Sequence, residues 1–116
     1  MLQEQHETDQ LANLASADSN LVPQLAILGL DLDDKIRSLI PDLRNPLGVV
    51  VVARAADIMG PDTGLATGDI IHAVHRTPVE SLDSLRAALR TIKSGDPVAL
   101  QIERQGHLLY LSFEME

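Results

Sequence analysis

Apolar residues along this chain gather in short runs separated by polar turn-formers. Residues 24–30 (QLAILGL) are the first run and predict a strand. Asp31-Leu32-Asp33-Asp34 then places acids at the start of a short helix over about 33–40, which Pro41 ends. Residues 47–53 (LGVVVVA) give the strongest strand signal. Their unbroken β-branched stretch predicts burial on both faces. Residues 55–63 (AADIMGPDT) read as irregular. Gly64-Leu65-Ala66-Thr67-Gly68-Asp69-Ile70-Ile71 reads as a glycine-hinged turn feeding a buried strand over 69–75, with Thr77-Pro78 turning the chain. Leu82, Leu85, Leu89 and Ile92 recur at helical spacing and predict an amphipathic helix over 82–93, with Ser81 as its N-cap. Residues 97–104 (PVALQIER) and 107–114 (HLLYLSFE) alternate apolar and polar, and Gln105-Gly106 joins them as a two-residue hairpin turn. The sum is an α+β, β-rich chain: a small, partly open barrel or sandwich of five to six short strands with two helices.

Composition narrows the function classes. The chain has 116 residues, a net charge of −8 and no cysteine. Disulfides, thiolate metal sites and cysteine nucleophiles are therefore excluded. With one Tyr and one Phe the core must be aliphatic. Residues 1–22 are polar and acidic and read as a flexible linker, leaving 23–116 as the folded unit. No basic patch exists to grip phosphates, so nucleic acid is not an expected partner. No apolar run is long enough for a membrane span. A basic, apolar secretion signal is not evident at the start, so an exported parent would carry one upstream.

Candidate chemistry is sparse. His72 and His75 stand three apart on a predicted strand and so point to opposite faces, which argues against a shared metal ion. Asp31, Asp33 and Asp34 lack the alternating ligands, central Gly and terminal Glu of a calcium loop. No serine lies in a Gly-x-Ser-x-Gly context, and no Lys follows Gly68 as a phosphate loop would require. No catalytic residue, metal or cofactor is expected.

The ordered series of motifs resembles a PDZ domain of the bacterial HtrA type, the trypsin-like serine proteases of the cell envelope. The resemblance covers about residues 23–116. It rests on Leu25-Ala26-Ile27-Leu28-Gly29-Leu30-Asp31-Leu32, Gly48-Val49-Val50-Val51-Val52, the Gly64–Ile71 turn, Val79-x-Ser81-Leu82 with Leu85, Arg86 and Leu89, Gly95-Asp96-Pro97-Val98, and Arg104-Gln105-Gly106. It implies a non-catalytic module in which an extended peptide adds to a strand edge beside a helix. The resemblance puts a carboxylate-binding loop on Gln24, Leu25, Ala26 and Ile27. It puts the augmented strand on Ile27, Leu28, Gly29 and Leu30, and the groove wall on Leu82, Arg86 and Leu89, with Leu85, Ala88 and Ile92 turned to the core. A wall position for Leu89 predicts that Leu89→Asp weakens peptide binding and leaves the fold intact. The implied partners are peptides or unfolded segments with aliphatic residues. The implied parent is a periplasmic, homo-oligomeric serine endopeptidase whose substrates this domain recognises. A second reading is a PDZ-like scaffold or docking module of a secretion-system component or of another membrane-associated or processing protease. Two positions depart from the family pattern. Ala26 replaces a usual Gly, at a cost of about 1 kcal/mol if φ is positive there. No Lys or Arg precedes Lys35, so loop amides alone would hold a ligand's carboxylate, and internal segments stay open as ligands.

Overall fold

A computed structural model describes residues 20–40, 43, 46–54 and 63–115. Its elements run β1 (Leu21–Val22), β2 (Ile27–Asp31), α1 (Asp34–Ser38), β3 (Val49–Arg54), β4 (Ile70–Val74), β5 (Thr77–Pro78), α2 (Leu82–Arg90), β6 (Pro97–Arg104) and β7 (His107–Glu114). The strands form one open antiparallel sheet in the order β1-β2-β3-β4-β6-β7, with β5 paired to β4. Among the described residues this is the expected β-rich α+β architecture with two helices, and the strands number seven rather than five or six.

The four valines of β3 explain how so thin a fold obtains a core. Successive side chains on a strand point to opposite faces. Val49 and Val51 join the larger cluster, with Leu25, Ile27, Ile71, Leu85, Leu89, Leu100 and Ile102. Val50 and Val52 join a second cluster, with Leu32, Ile36 and Ile70, under α1. Both faces of β3 are thus buried, as its unbroken apolar run required.

The Gly64–Ile71 turn is clamped rather than merely flexible. Asp69 is buried and accepts from the Ala66 amide at 2.8 Å. Arg104, at the end of β6, grips the same carboxylate with two bonds of 2.8 and 2.7 Å and the Gly64 carbonyl with a third of 2.9 Å. This fork-on-carboxylate geometry is the strong form of an ion pair. The Asp69 hydrogen bond raises the Arg104 pKa further above its ordinary value, partly opposed by burial. The Gly68 amide donates to Val51 at 2.8 Å and ties the turn to β3.

The hairpin falls where alternation put it, at 97–104 and 107–114, with Gln105 at φ 51° and Gly106 at φ 80°. Two positive φ values give the turn the twist of its strands. Ser81 caps α2, accepting from the Ser84 amide at 3.1 Å. Asp33 caps α1, accepting from Ile36 at 2.8 Å.

Boundaries differ where local hydrogen bonding competes with periodicity. Helix α2 stops at Arg90 rather than 93, because the Thr91 hydroxyl and amide both turn back to the Ala88 carbonyl. Helix α1 spans 34–38 rather than 33–40, closing on Leu39. Thr77-Pro78 is a strand, and the turn sits one step earlier at His75-Arg76, where His75 has φ 55°. The linker expected over 1–22 gives up its end to the sheet, since Leu21–Val22 form β1. The rest of that linker, through residue 19, lies outside the described residues, as does the irregular stretch expected at 55–63 except for Thr63.

Ala26 carries the predicted strain, with φ 53°. A left-handed Ala costs about 1–2 kcal/mol, of which Gly recovers a part net of its greater unfolded freedom. Ala26→Gly is therefore expected to stabilise the chain by about 0.5–1 kcal/mol, read as a rise in the thermal midpoint of a few degrees. A fall in the midpoint would mean that the left-handed turn is not held in solution.

Candidate functional site

Strand β2 and helix α2 are brought together at their ends by two devices. At the far end of β2, Asp31 accepts from the Leu82 amide through Oδ1 at 2.5 Å, so a β2 carboxylate satisfies one of the donors at the start of α2. Beside it, Gly29 lacks a Cβ that would sit 2.6 Å from Val49 and 3.3 Å from Leu82. A side chain at 29 would push β3 or the helix away. In the sequence Asp31 reads as one of the acids at the start of the short helix over 33–40. Its partner lies 51 residues on, and nothing local could have revealed that.

At the near end of β2 the chain turns tightly. The Leu25 amide donates to the Val22 carbonyl at 3.1 Å and the Ala26 amide to the Pro23 carbonyl at 3.2 Å. This turn folds Asn20–Val22 back onto β2. Leu21 pairs with Leu28 and Val22 with Ile27, antiparallel, on the β2 edge opposite β3. The Asn20 side-chain amide donates to the Gly29 carbonyl at 2.8 Å. From the other side, Arg86 of α2 donates to the Leu21 carbonyl at 2.8 Å. Val22 is fully buried and belongs to the larger core cluster together with Leu25, Ile27, Leu82 and Leu89.

Two open clefts flank this segment. One, of about 340 Å³, lies at the α2 start between Asn20, Leu30, Asp31, Asp33 and Leu82. The other, of about 390 Å³, is lined by Leu21, Pro23, Gln24, Arg86 and Arg90. Strand β1 covers this β2 edge over Ile27–Leu28, and no strand covers it over Gly29–Asp31 among the described residues.

The residues predicted for a groove are therefore neighbours. Gln24, Leu25, Ala26 and Ile27 form the turn and strand start, Leu28, Gly29 and Leu30 the strand, and Leu82, Arg86 and Leu89 the helix flank. Their exposures are uneven. Leu25, Ile27, Leu82 and Leu89 are buried, at 2%, 0%, 8% and 1%. Leu85 is also buried, while Ala88 and Ile92 pack against the same cluster partly exposed. Sequence reasoning missed Arg90, which joins Arg86 in the second cleft. Its i,i+4 spacing from Arg86 was the available signal. These two guanidinium groups supply, next to the loop, the positive charge that the residues upstream of the loop lack.

His72 is not part of this site. It is buried on β4, with its Nδ1 2.7 Å from the Leu47 carbonyl and its Nε2 2.9 Å from Glu103. A carbonyl only accepts, so Nδ1 carries a hydrogen, and the bond to Glu103 needs a further proton on one member of the pair. The pair fixes the loop before β3 to β4 and β6.

A family model described as PDZ domain matches residues 26–115. A probable serine protease do-like from Buchnera aphidicola subsp. Acyrthosiphon pisum (strain APS) is 24% identical over 93 residues, 80% of this chain and 19% of that protein. The chain thus spans about a fifth of that relative's length. Among solved structures, the HtrA3 PDZ domain bound to a phage-derived ligand (FGRWV) superposes with a TM-score of 0.61 at 24% identity, covering 79% of this chain and 83% of that one. The HtrA-type protease AlgW with a decapeptide gives 0.64 at 24% identity, over 78% of this chain and 27% of that one.

Proposed function

The chain belongs to the PDZ domain family, and on that premise we propose that it binds extended, aliphatic peptides by adding them as a strand to β2 beside α2. The observation that carries this reading is the pairing already made there. A short extended segment lies antiparallel on the β2 edge, with an aliphatic side chain buried and its backbone held by Arg86. Backbone pairing supplies affinity in this mode, and side-chain pockets supply selectivity. Leu25, Ile27, Leu82 and Leu89 would enclose the ligand's anchoring residue. Burying one aliphatic side chain contributes roughly 1.5–3 kcal/mol. The HtrA3 ligand named above ends in valine, which fits such an anchor. Arg86 and Arg90, with the loop amides, would take a terminal carboxylate. The module is proposed to be non-catalytic. It would serve as the substrate-recognition part of a longer HtrA-like serine endopeptidase of the cell envelope, whose hydrolytic site would lie elsewhere in that protein.

Titration of the isotope-labelled chain with the peptide Phe-Gly-Arg-Trp-Val, free and amidated, tests the reading. Amide shifts are expected to cluster on residues 24–30 and 82–90, and amidation is expected to weaken binding at least fivefold. Shifts centred on β6 and β7, or none at millimolar peptide, would refute the groove.

A further inference from the structure

We infer that the groove has a resident ligand, and that it is the chain's own segment Asn20-Leu21-Val22. The inference rests on the peptide-binding reading and adds an occupant to it. The strand pairing, the buried aliphatic anchor and the loop-amide contact that this reading assigns to an incoming peptide are already made by this segment, and Arg86 holds its backbone. Its backbone pairs antiparallel with β2 at Leu28 and Ile27. Its valine is the fully buried anchor among Leu25, Ile27 and Leu89. The Val22 carbonyl accepts from the Leu25 amide at 3.1 Å, the loop donor that would otherwise face a ligand's carboxylate. The Leu21 carbonyl accepts from Arg86 at 2.8 Å. The Asn20 side chain takes the Gly29 carbonyl at 2.8 Å, one residue further along the same edge.

Two consequences follow. The preferred ligand resembles the occupant: an extended segment with valine as anchor, a neighbouring aliphatic residue and a small amide-bearing residue before it. Such a ligand must also displace the occupant, which is tethered by the turn at Pro23–Ala26 and so competes at an effective concentration on the order of millimolar. An outside peptide then binds with its affinity reduced by the fraction of time the groove stands open. The occupant is short, two paired residues and two side-chain bonds, so opening does not require the core strands to separate. Its release would expose the edge over Ile27–Leu28 and extend the site from the cleft at Asn20 to the turn.

The test is competition on the full 116-residue chain. The probe is a fluorescein-labelled peptide reproducing residues 15–22, ending in a free carboxylate at Val22. The chain lacks cysteine, so Leu21→Cys with Leu28→Cys creates a single crosslink between directly opposed residues, a spacing that suits a disulfide. The oxidised form is expected to bind the probe at least tenfold more weakly than the same protein after reduction. A second variant, Leu21→Ser with Val22→Ser, weakens the occupant and is expected to bind the probe at least tenfold more tightly than the parent chain. Equal binding by the oxidised and reduced forms, or failure of the crosslink to form, overturns the inference. So does retention of slow amide exchange at Ile27, whose N–H faces the same edge as the Gly29 carbonyl, in the double-serine variant, which reads occupancy without any peptide. If exchange there accelerates while no form binds the probe, the occupant stands and the peptide-binding reading is what fails.

Discussion

Leu89→Asp is expected to leave the chain unfolded, or destabilised by more than about 4 kcal/mol, at neutral pH. Leu89 is 1% exposed and packs in the cluster that joins α2 to the sheet. Truncating a buried leucine costs about 2–5 kcal/mol through lost transfer energy and the cavity left behind. An aspartate adds the desolvation of a carboxylate with no partner, which costs more than a neutral polar group does. A domain of this size has only about 5–15 kcal/mol in reserve. This reverses the expectation that the resemblance implies, in which Leu89 stands on an open wall and its substitution spares the fold. The reversal has a specific cause. Val22 closes over the same cluster, so a side chain that would line an empty groove is enclosed instead. Ala87→Asp, on the exposed side of α2, is the control and is expected within about 0.5 kcal/mol of the parent. Urea unfolding followed by circular dichroism separates the two. A folded Leu89→Asp chain with an unchanged midpoint would show that water reaches Leu89 and that the groove stands open in solution.

The elements that repeat a simple pattern were legible in the sequence. The four valines of β3 announced two-sided burial, and two clusters meet there. The alternation of β6 and β7 and the Gln105-Gly106 turn placed the hairpin correctly. Ser81 announced its cap. What stayed hidden depends on contacts between residues far apart in sequence. Asp31 meets Leu82, Arg104 meets Asp69, and His72 meets Glu103 across separations of 51, 35 and 31 residues. A polar residue in such a pair looks like any surface polar residue until the partner is known. The strand at Leu21–Val22 was hidden for a different reason. Two residues carry no periodicity, and the acidic stretch before them reads as linker. Only the turn at Pro23–Ala26, made possible by a left-handed Ala26, puts them on β2.

Gly48→Ala is expected to cost at least about 3 kcal/mol. Gly48 sits at φ 147°, a backbone region that L-residues with a Cβ rarely enter and that costs of order 1–3 kcal/mol to hold. Space is also lacking. A Cβ would lie 2.6 Å from the Ile71 carbonyl oxygen, 3.1 Å from His72 Nδ1 and 3.2 Å from the Ile70 side chain. The closest of these is backbone in a paired strand, held by the Val49–Ile71 register, so it cannot rotate away as a side chain would. Relief requires β3 and β4 to separate, or the preceding loop to lift and break the Leu47–His72 bond. Overpacking of this kind adds about 1–3 kcal/mol to the dihedral cost. Gly68→Ala distinguishes the two contributions. Gly68 has φ 97° with nothing within 4 Å of a new Cβ, so it bears only the conformational cost. The urea midpoint of Gly48→Ala should therefore fall well below that of Gly68→Ala, by about the steric share divided by a slope of 1–3 kcal/mol per molar urea. Equal midpoints would mean that the loop before β3 does not press on β4, and that His72 is held in place by Glu103 rather than from both sides.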